Sequence, residues 1–240
     1  MLATSLKTRT MKQPKFTLTF LLVSTLFCIC LIVSNLVEIK TIDIGNFFTI
    51  TAGVIVFPIS YIINDCIVEV YGFRKARLMI WLGFASNLIV SLLLQLAIAL
   101  PGGETWTQQE ALSSIFGAVP RIMFASFTAF LCGSFVNAYV MSRMKRTDGK
   151  HHFSLRAIVS TLWGESVDSL IFFPIAFGGV LPWSVVFSLI FTQALLKTGY
   201  EIIILPVTIR VVKALKRIEG GAEVIDKDIS YKWWKIFELE

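Results

Sequence analysis

Two carboxylates one helical turn apart, Asp65 and Glu69, follow Asn64 within "FPISYIINDCIVEVYG" (Phe57 to Gly72), a run otherwise made of the residues that dissolve in lipid. Paired acids in such surroundings can hold and pass a proton, or accept from a cationic or N–H-rich ligand. A second pair, Glu165 and Asp168, lies in "TLWGESVDSLIFFP". Its i,i+3 spacing puts both acids on one helical face, with Thr161 and Phe172 on the same stripe. In "FTQALLKTGYEIIILP", Gln193, Lys197 and Glu201 fall at i, i+4 and i+8, again one face. Asn35 and Glu38 close an earlier apolar run, and Asn87 and Asn137 sit inside two others. Tyr61 and Trp163, with Phe57, Phe172, Phe173 and Tyr200, lie on or beside these faces, where a flat ligand could stack.

Each residue also has a plainer role. Glu69 can be interfacial, held by Arg74 or Lys75, and Lys197 with Glu201 can be a structural i,i+4 ion pair. Asn87 and Asn137 suit helix–helix hydrogen bonds, and Glu38 and Asp43 suit an outer loop. Most aromatics in a chain that is 13% aromatic are ordinary packing residues. The plainer reading is weakest for Glu165 and Asp168, which lie deep with no local partner.

The elements that carry these residues are membrane helices. The chain has 240 residues, 55% hydrophobic and 16% charged, with a mean hydropathy of +0.74. Soluble domains are about a quarter charged. Six apolar spans follow, at roughly 16–37, 47–71, 77–100, 118–142, 155–179 and 183–210. Basic residues cluster in alternate connections: Lys7, Arg9, Lys12 and Lys15; Arg74, Lys75 and Arg77; Arg143, Lys145, Arg146, Lys150 and Arg156; Lys213, Lys216 and Arg217. The opposite loops hold only Lys40 and Arg121. By the positive-inside rule both termini are cytoplasmic. The net charge of +6 is therefore a topology signal and gives no reason to expect nucleic-acid binding.

The fold class expected is an all-α integral membrane protein of six transmembrane helices. Residues 1–15 form a cytoplasmic N-terminal segment, 16–215 a membrane domain, and 216–240 a cytoplasmic tail lying on the membrane surface, where Trp233 and Trp234 stand among lysines. The first span reads as a helix and not as a cleaved leader, because its apolar run is long and no A-x-A site follows. Two three-span halves, 16–100 and 118–210, are compatible with an inverted repeat. Phe57-Pro58 and Phe173-Pro174 both fall in the outer half, beside Pro-interrupted helices, with the acid pairs deeper. Coincidence accounts for the same pattern, because Pro is common in membrane helices.

At a rise of about 1.5 Å per residue across about 30 Å of hydrocarbon, Asp65 lies in the cytoplasmic half and Glu69 near that interface. Glu165 and Asp168 lie close to the midplane. An Asp or Lys there costs about 2.5–3.5 kcal/mol on insertion scales, so these groups should face one another or a wet cavity. Deep positions hold five acids (Asp65, Glu69, Glu165, Asp168 and Glu201) against Lys197, which favours a cationic or donor-rich solute. Cys28, Cys30, Cys66 and Cys132 match no metal or disulfide framework. No cofactor and no metal is expected. His151 and His152 are the only histidines, and neither an H-E-x-x-H nor a Walker pattern occurs, so an enzyme is not expected.

"FPISYIINDCIVEVYGFRKAR" (Phe57–Arg77), "LWGESVDSLIFFPIAFGG" (Leu162–Gly179), "KTGYEIIILP" (Lys197–Pro206) and "VSNLVEIK" (Val33–Lys40) resemble the queuosine precursor transporter family, grouped with vitamin uptake transporters. The resemblance covers about residues 16–215. It implies a multi-pass bacterial inner-membrane importer of 7-deazaguanine bases: queuine or the cyano and aminomethyl precursors. Such a base offers two adjacent N–H donors that one carboxylate can accept together. The candidate substrate-binding residues are then Asn35, Tyr61, Asn64, Asp65, Glu69, Trp163, Glu165, Asp168, Gln193, Lys197 and Glu201. Glu165 or Asp168 would take the amidine edge, and Asp65 and Glu69 an amine or a coupling proton. Lys197 would hold the carbonyl or a neighbouring acid. The partners implied are that small molecule, the bilayer and, given the small bundle, a second copy of the chain as a homodimer. Two rival readings are the substrate-binding subunit of an ATP-driven importer and a membrane enzyme using paired carboxylates.

Overall fold

The computed structural model describes residues 16–45, 48–148 and 153–220. Within its helices the side chains of Tyr61, Asp65 and Glu201 lie outside the described set. The element order is α1 (Leu18–Val37), β1 (Thr41–Ile44), β2 (Phe48–Thr51), a 3-10 turn (Ala52–Ile55), α2 (Phe57–Tyr71), α3 (Phe73–Ala99), α4 (Gln109–Phe116), α5 (Val119–Asp148), α6 (Phe153–Phe177) and α7 (Trp183–Ile218).

Four stretches, Leu18–Val37, Arg74–Ala99, Gln109–Ser134 and Ile158–Phe177, are long and apolar enough to cross a membrane. The second expected span departs most from its sequence reading. Residues 48–55 are not helical in the α sense: β1 and β2 pair antiparallel, with Thr41 opposite Thr51 and Ile44 opposite Phe48, and the 3-10 turn follows. The physical reason is in "TIDIGNFFTIT", where β-branched residues alternate on either side of Gly45-Asn46. Gly45 takes the left-handed φ of +63° that a tight hairpin needs. Thr49 donates to Asp43 across the ladder at 2.8 Å, so Asp43 serves the hairpin. What remains helical, α2, has 15 residues. That is about 22 Å, less than the hydrocarbon thickness. Pro58 sits in its first turn, where a missing N–H costs nothing, and so begins the helix without interrupting it.

Pro174, by contrast, lies inside α6. A proline there deprives an upstream carbonyl of its donor and loosens the turns that follow. Beyond the proline, Arg121 of α5 caps the end of the helix: its guanidinium donates to the carbonyls of Ile175, at 2.6 Å, and of Gly178. A residue placed in the sequence as a stray outer charge thus caps a helix end. The outer loop 101–117 contains α4, which the apolar pattern did not announce. Gln109 donates to the Ile98 carbonyl and Gln95 to that of Phe116, tying the loop back to α3.

Helices α1, α2 and α3 pack on one another, while α5 packs on α6 and α6 on α7. Two apolar cores result. One joins Phe20, Phe27, Leu31, Ile63, Ile67 and Met79; the other joins Ile122, Ala125, Phe172, Phe173, Phe177 and Leu189. Contacts of α7 with α2 and β2, and of α5 with α1 and α3, form the seam between the groups. At the end of the seam where α1 begins and α7 ends, Glu219 accepts from Thr17 and from Tyr71, both at 2.8 Å. Helix α7 runs on to Ile218, past the expected boundary at 215, with Lys216 and Arg217 in its last turn, where the helix dipole favours them. The tail with Trp233 and Trp234 lies outside the described residues.

Candidate functional site

The polar side chains of the seam converge on one small cavity. Its lining draws on both helical groups: Asn35 and Glu38 from the end of α1, Gly53 and Val54 from the 3-10 turn, Phe57 from α2, Ser126 from α5, Asp168, Phe172 and Phe173 from α6, and Gln193 and Lys197 from α7. The enclosed volume is about 20 Å³. That is room for one or two waters.

Asp168 reaches this point because α5 and α6 touch backbone to backbone. A Cβ built on Gly133 would lie 2.8 Å from the Gly164 carbonyl and 3.1 Å from Asp168 Cβ. One built on Gly164 would lie 2.9 Å from Asn137 Cβ. Small residues permit this approach, as they do at membrane-helix interfaces generally. Asn137 is therefore part of the helix contact that sets Asp168 in place.

Lys197 Nζ lies 2.8 Å from Asp168 Oδ2 and 3.3 Å from Glu165 Oε2. It also stands 4.7 Å from the centre of the Phe57 ring, a cation–π distance. All three charged residues are buried. Unpaired, each would carry a desolvation cost of several kcal/mol, so the two acids and the cation offset one another. The sequence offered Glu201 as a partner of Lys197, and its side chain lies outside the described residues; among those described, the lysine reaches across to α6.

A second network lies beside the first. Glu38 is 7% exposed, and its Oε1 accepts from the Thr51 hydroxyl at 2.6 Å. Thr51 in turn accepts from Gln193 Nε2 at 2.7 Å. The three residues come from the end of α1, the end of β2 and the middle of α7. Gly53 makes the arrangement possible, since a Cβ there would sit 1.6 Å from Glu38 Oε2. Two lining atoms have no hydrogen-bond partner among the described residues: Asn35 Nδ2 and Ser126 Oγ. The cavity can therefore accept through Glu38 and Asp168 and can donate through Asn35, Gln193 and Lys197.

Of the residues expected from sequence, Asn35, Asp168, Gln193 and Lys197 line this cavity, with Glu165 behind Lys197. Glu69 stands apart: its side chain is 58% exposed and pairs with Lys216 near the end of α7, the interfacial role weighed for it, though with a different partner. Trp163 is exposed on the outer surface of α6. Asn64 is half-buried with its Oδ1 unpartnered among the described residues, and it does not line the cavity. The side chains of Tyr61, Asp65 and Glu201, also expected at the site, lie outside the described set. Glu38, Thr51, Gly53 and Ser126 were the residues underweighted or missed. The signal for Thr51 and Gly53 was the hairpin pattern, which turns residues 41–55 back toward the bundle.

Residues 51–211 match the family model described as "Putative vitamin uptake transporter". A curated protein of Bacillus subtilis (strain 168), "Probable queuosine precursor transporter", is 29% identical over 174 residues, covering 72% of this chain and 76% of that one. The "Queuosine precursor transporter" of Escherichia coli (strain K12) is 29% identical over 155 residues, covering 64% and 66%. That of Haemophilus influenzae, "Probable queuosine precursor transporter", is 27% identical over 130 residues, covering 54% and 53%. No solved structure matches the chain.

Proposed function

The chain belongs to the vitamin uptake transporter family, and from that membership we propose that it imports a queuosine precursor, a 7-deazaguanine base, through the seam between its two helical groups. The observation that carries the reading is the buried polar cavity at that seam. Its lining holds acids in excess, Glu38 and Asp168 against Lys197, together with three aromatic rings, Phe57, Phe172 and Phe173. A flat base rich in N–H donors meets both features: the rings offer faces for stacking and the carboxylates accept hydrogen bonds. The names of the three relatives support the same substrate class.

The protein works as a multi-pass carrier in the bacterial inner membrane, crossing it six times with both termini in the cytoplasm. The distribution of Lys and Arg supports this topology. A volume of about 20 Å³ is too small for a bicyclic ring system, so the arrangement described is a closed one. Transport then requires the two groups to part, and a site at the seam is where such parting gives access from either side.

The test is uptake in cells unable to make queuosine. Such cells, expressing the chain, are fed queuine or each deazaguanine precursor, and queuosine is assayed in their tRNA. Restoration by one compound identifies the substrate. No restoration by any of them, with the protein present in the membrane, removes this substrate class.

A further inference from the structure

Glu38 is the acid of the cavity whose bonding is least complete. An ionised carboxylate has about four acceptor positions. Glu38 is buried, and among the described residues its one hydrogen-bond partner is the Thr51 hydroxyl, with no cation within ion-pairing distance. Leaving a buried charge so poorly satisfied is costly. Glu165 and Asp168 differ, because Lys197 lies against both. The sequence reading gave the amidine edge of the base to one of those two acids; the pairing makes them poorer acceptors than Glu38.

The Thr51 hydroxyl does two things at once. It donates to Glu38 and accepts from Gln193. A guanine-type edge presents the same sequence of groups: N–H donors from the 2-amino group and ring nitrogen, then a carbonyl acceptor. We propose that Glu38 and Gln193 together read this edge, Glu38 accepting from the two N–H donors and Gln193 donating to the carbonyl. The Thr51 hydroxyl takes the place between them that this edge would fill. This rests on the substrate class proposed above.

Three further observations agree. Glu38 and Gln193 both line the cavity, so a base there touches both. Thr51 ends β2 and leads into the 3-10 turn, an element joined to the bundle through β2 against α7 and the turn against α1 and α2. Its withdrawal would free the two groups and enlarge a space that cannot yet hold a ring. Asn35 Nδ2, unpartnered beside Glu38, adds a donor for a further acceptor on the ligand.

The experiment measures uptake of 7-aminomethyl-7-deazaguanine and of its counterpart lacking the 2-amino group, in vesicles carrying the full chain. Wild type is expected to prefer the amino compound by about tenfold or more, the discrimination typical of a bidentate contact. Glu38→Gln is expected to bring the two rates within about threefold of each other by lowering uptake of the amino compound. Gln193→Met, which removes the group that meets the shared carbonyl, should slow both compounds alike and keep their ratio. Glu38→Gln that retains the wild-type preference overturns the assignment, as does Gln193→Met that erases it. Should Glu38→Gln fail to reach the membrane, the Gln193→Met ratio decides alone. Wild type that carries both bases equally well leaves the transport reading standing and refutes this one. Wild type that carries neither overturns this assignment for the aminomethyl base. The transport reading falls with it only where queuine and the cyano precursor also fail to restore queuosine.

Discussion

Lys197 joins three kinds of contact at a single ammonium: a hydrogen-bonded carboxylate, a second carboxylate 3.3 Å away and an aromatic face. Removing it strands two buried acids, whereas removing Asp168 still leaves Glu165 for the lysine. Lys197→Met is therefore expected to destabilise the fold by about 3–5 kcal/mol. Asp168→Asn should cost less than half as much. Thermal unfolding of the detergent-solubilised variants checks the order, and equal losses would mean the lysine is not shared between the acids. Gly53 makes a second prediction at this scale. The methyl of Gly53→Ala would land on the Glu38 carboxylate and press on the Ser34 carbonyl, 3.3 Å away. Uptake should fall at least about tenfold, because the methyl must push the Glu38 carboxylate off the Thr51 hydroxyl and into the cavity. Gly199→Ala is the control: nothing lies within 4 Å of its Cβ, and it should transport normally.

At the scale of elements, the close contact of α5 with α6 sets the depth of Asp168 in the cavity. Gly133→Val adds three carbons where one already meets the Gly164 carbonyl and Asp168 Cβ. The helices must separate, which overpacking data put at about 1–3 kcal/mol. The expected result is a lowered unfolding temperature together with lost uptake; full uptake with lowered stability would show that Asp168 need not be held so closely. The hairpin, the 3-10 turn and the shortened α2 were hidden for a physical reason. Hydropathy treats Ile42, Ile44, Phe48 and Ile50 as lipid-soluble, but it does not register that they alternate with polar residues on either side of Gly45. Period-2 alternation within an apolar stretch outweighs the run length, and here it marks a strand pair.

At the scale of the molecule, two helical groups with separate apolar cores meet at a polar seam. The seam is tied where α7 ends, by Glu219 with Thr17 and Tyr71, and by Lys216 with Glu69. The proposed orientation places these ties inside the cell and the loop carrying Glu104 outside. Cysteine at position 104 should react in intact cells with a membrane-impermeant maleimide, after Cys28, Cys30, Cys66 and Cys132 are replaced by serine. Labelling that requires permeabilised cells would invert the topology.

The sequence by itself determined that this is a helical membrane protein, which family it resembles, and that Asn35, Glu165, Asp168, Gln193 and Lys197 were worth watching. Those conclusions follow from quantities that are local in the chain: run length, charge distribution, and helical spacing on a single face. Only the tertiary structure decided which faces meet. It brought Lys197 against Glu165 and Asp168 of α6, drew Glu38 from an apparent loop into the interior, and sent Glu69 and Trp163 outward. Spacing along a helix fixes what shares a face, but the partner across that face is chosen by packing. Here close glycine contacts and a folded-back hairpin made the choice.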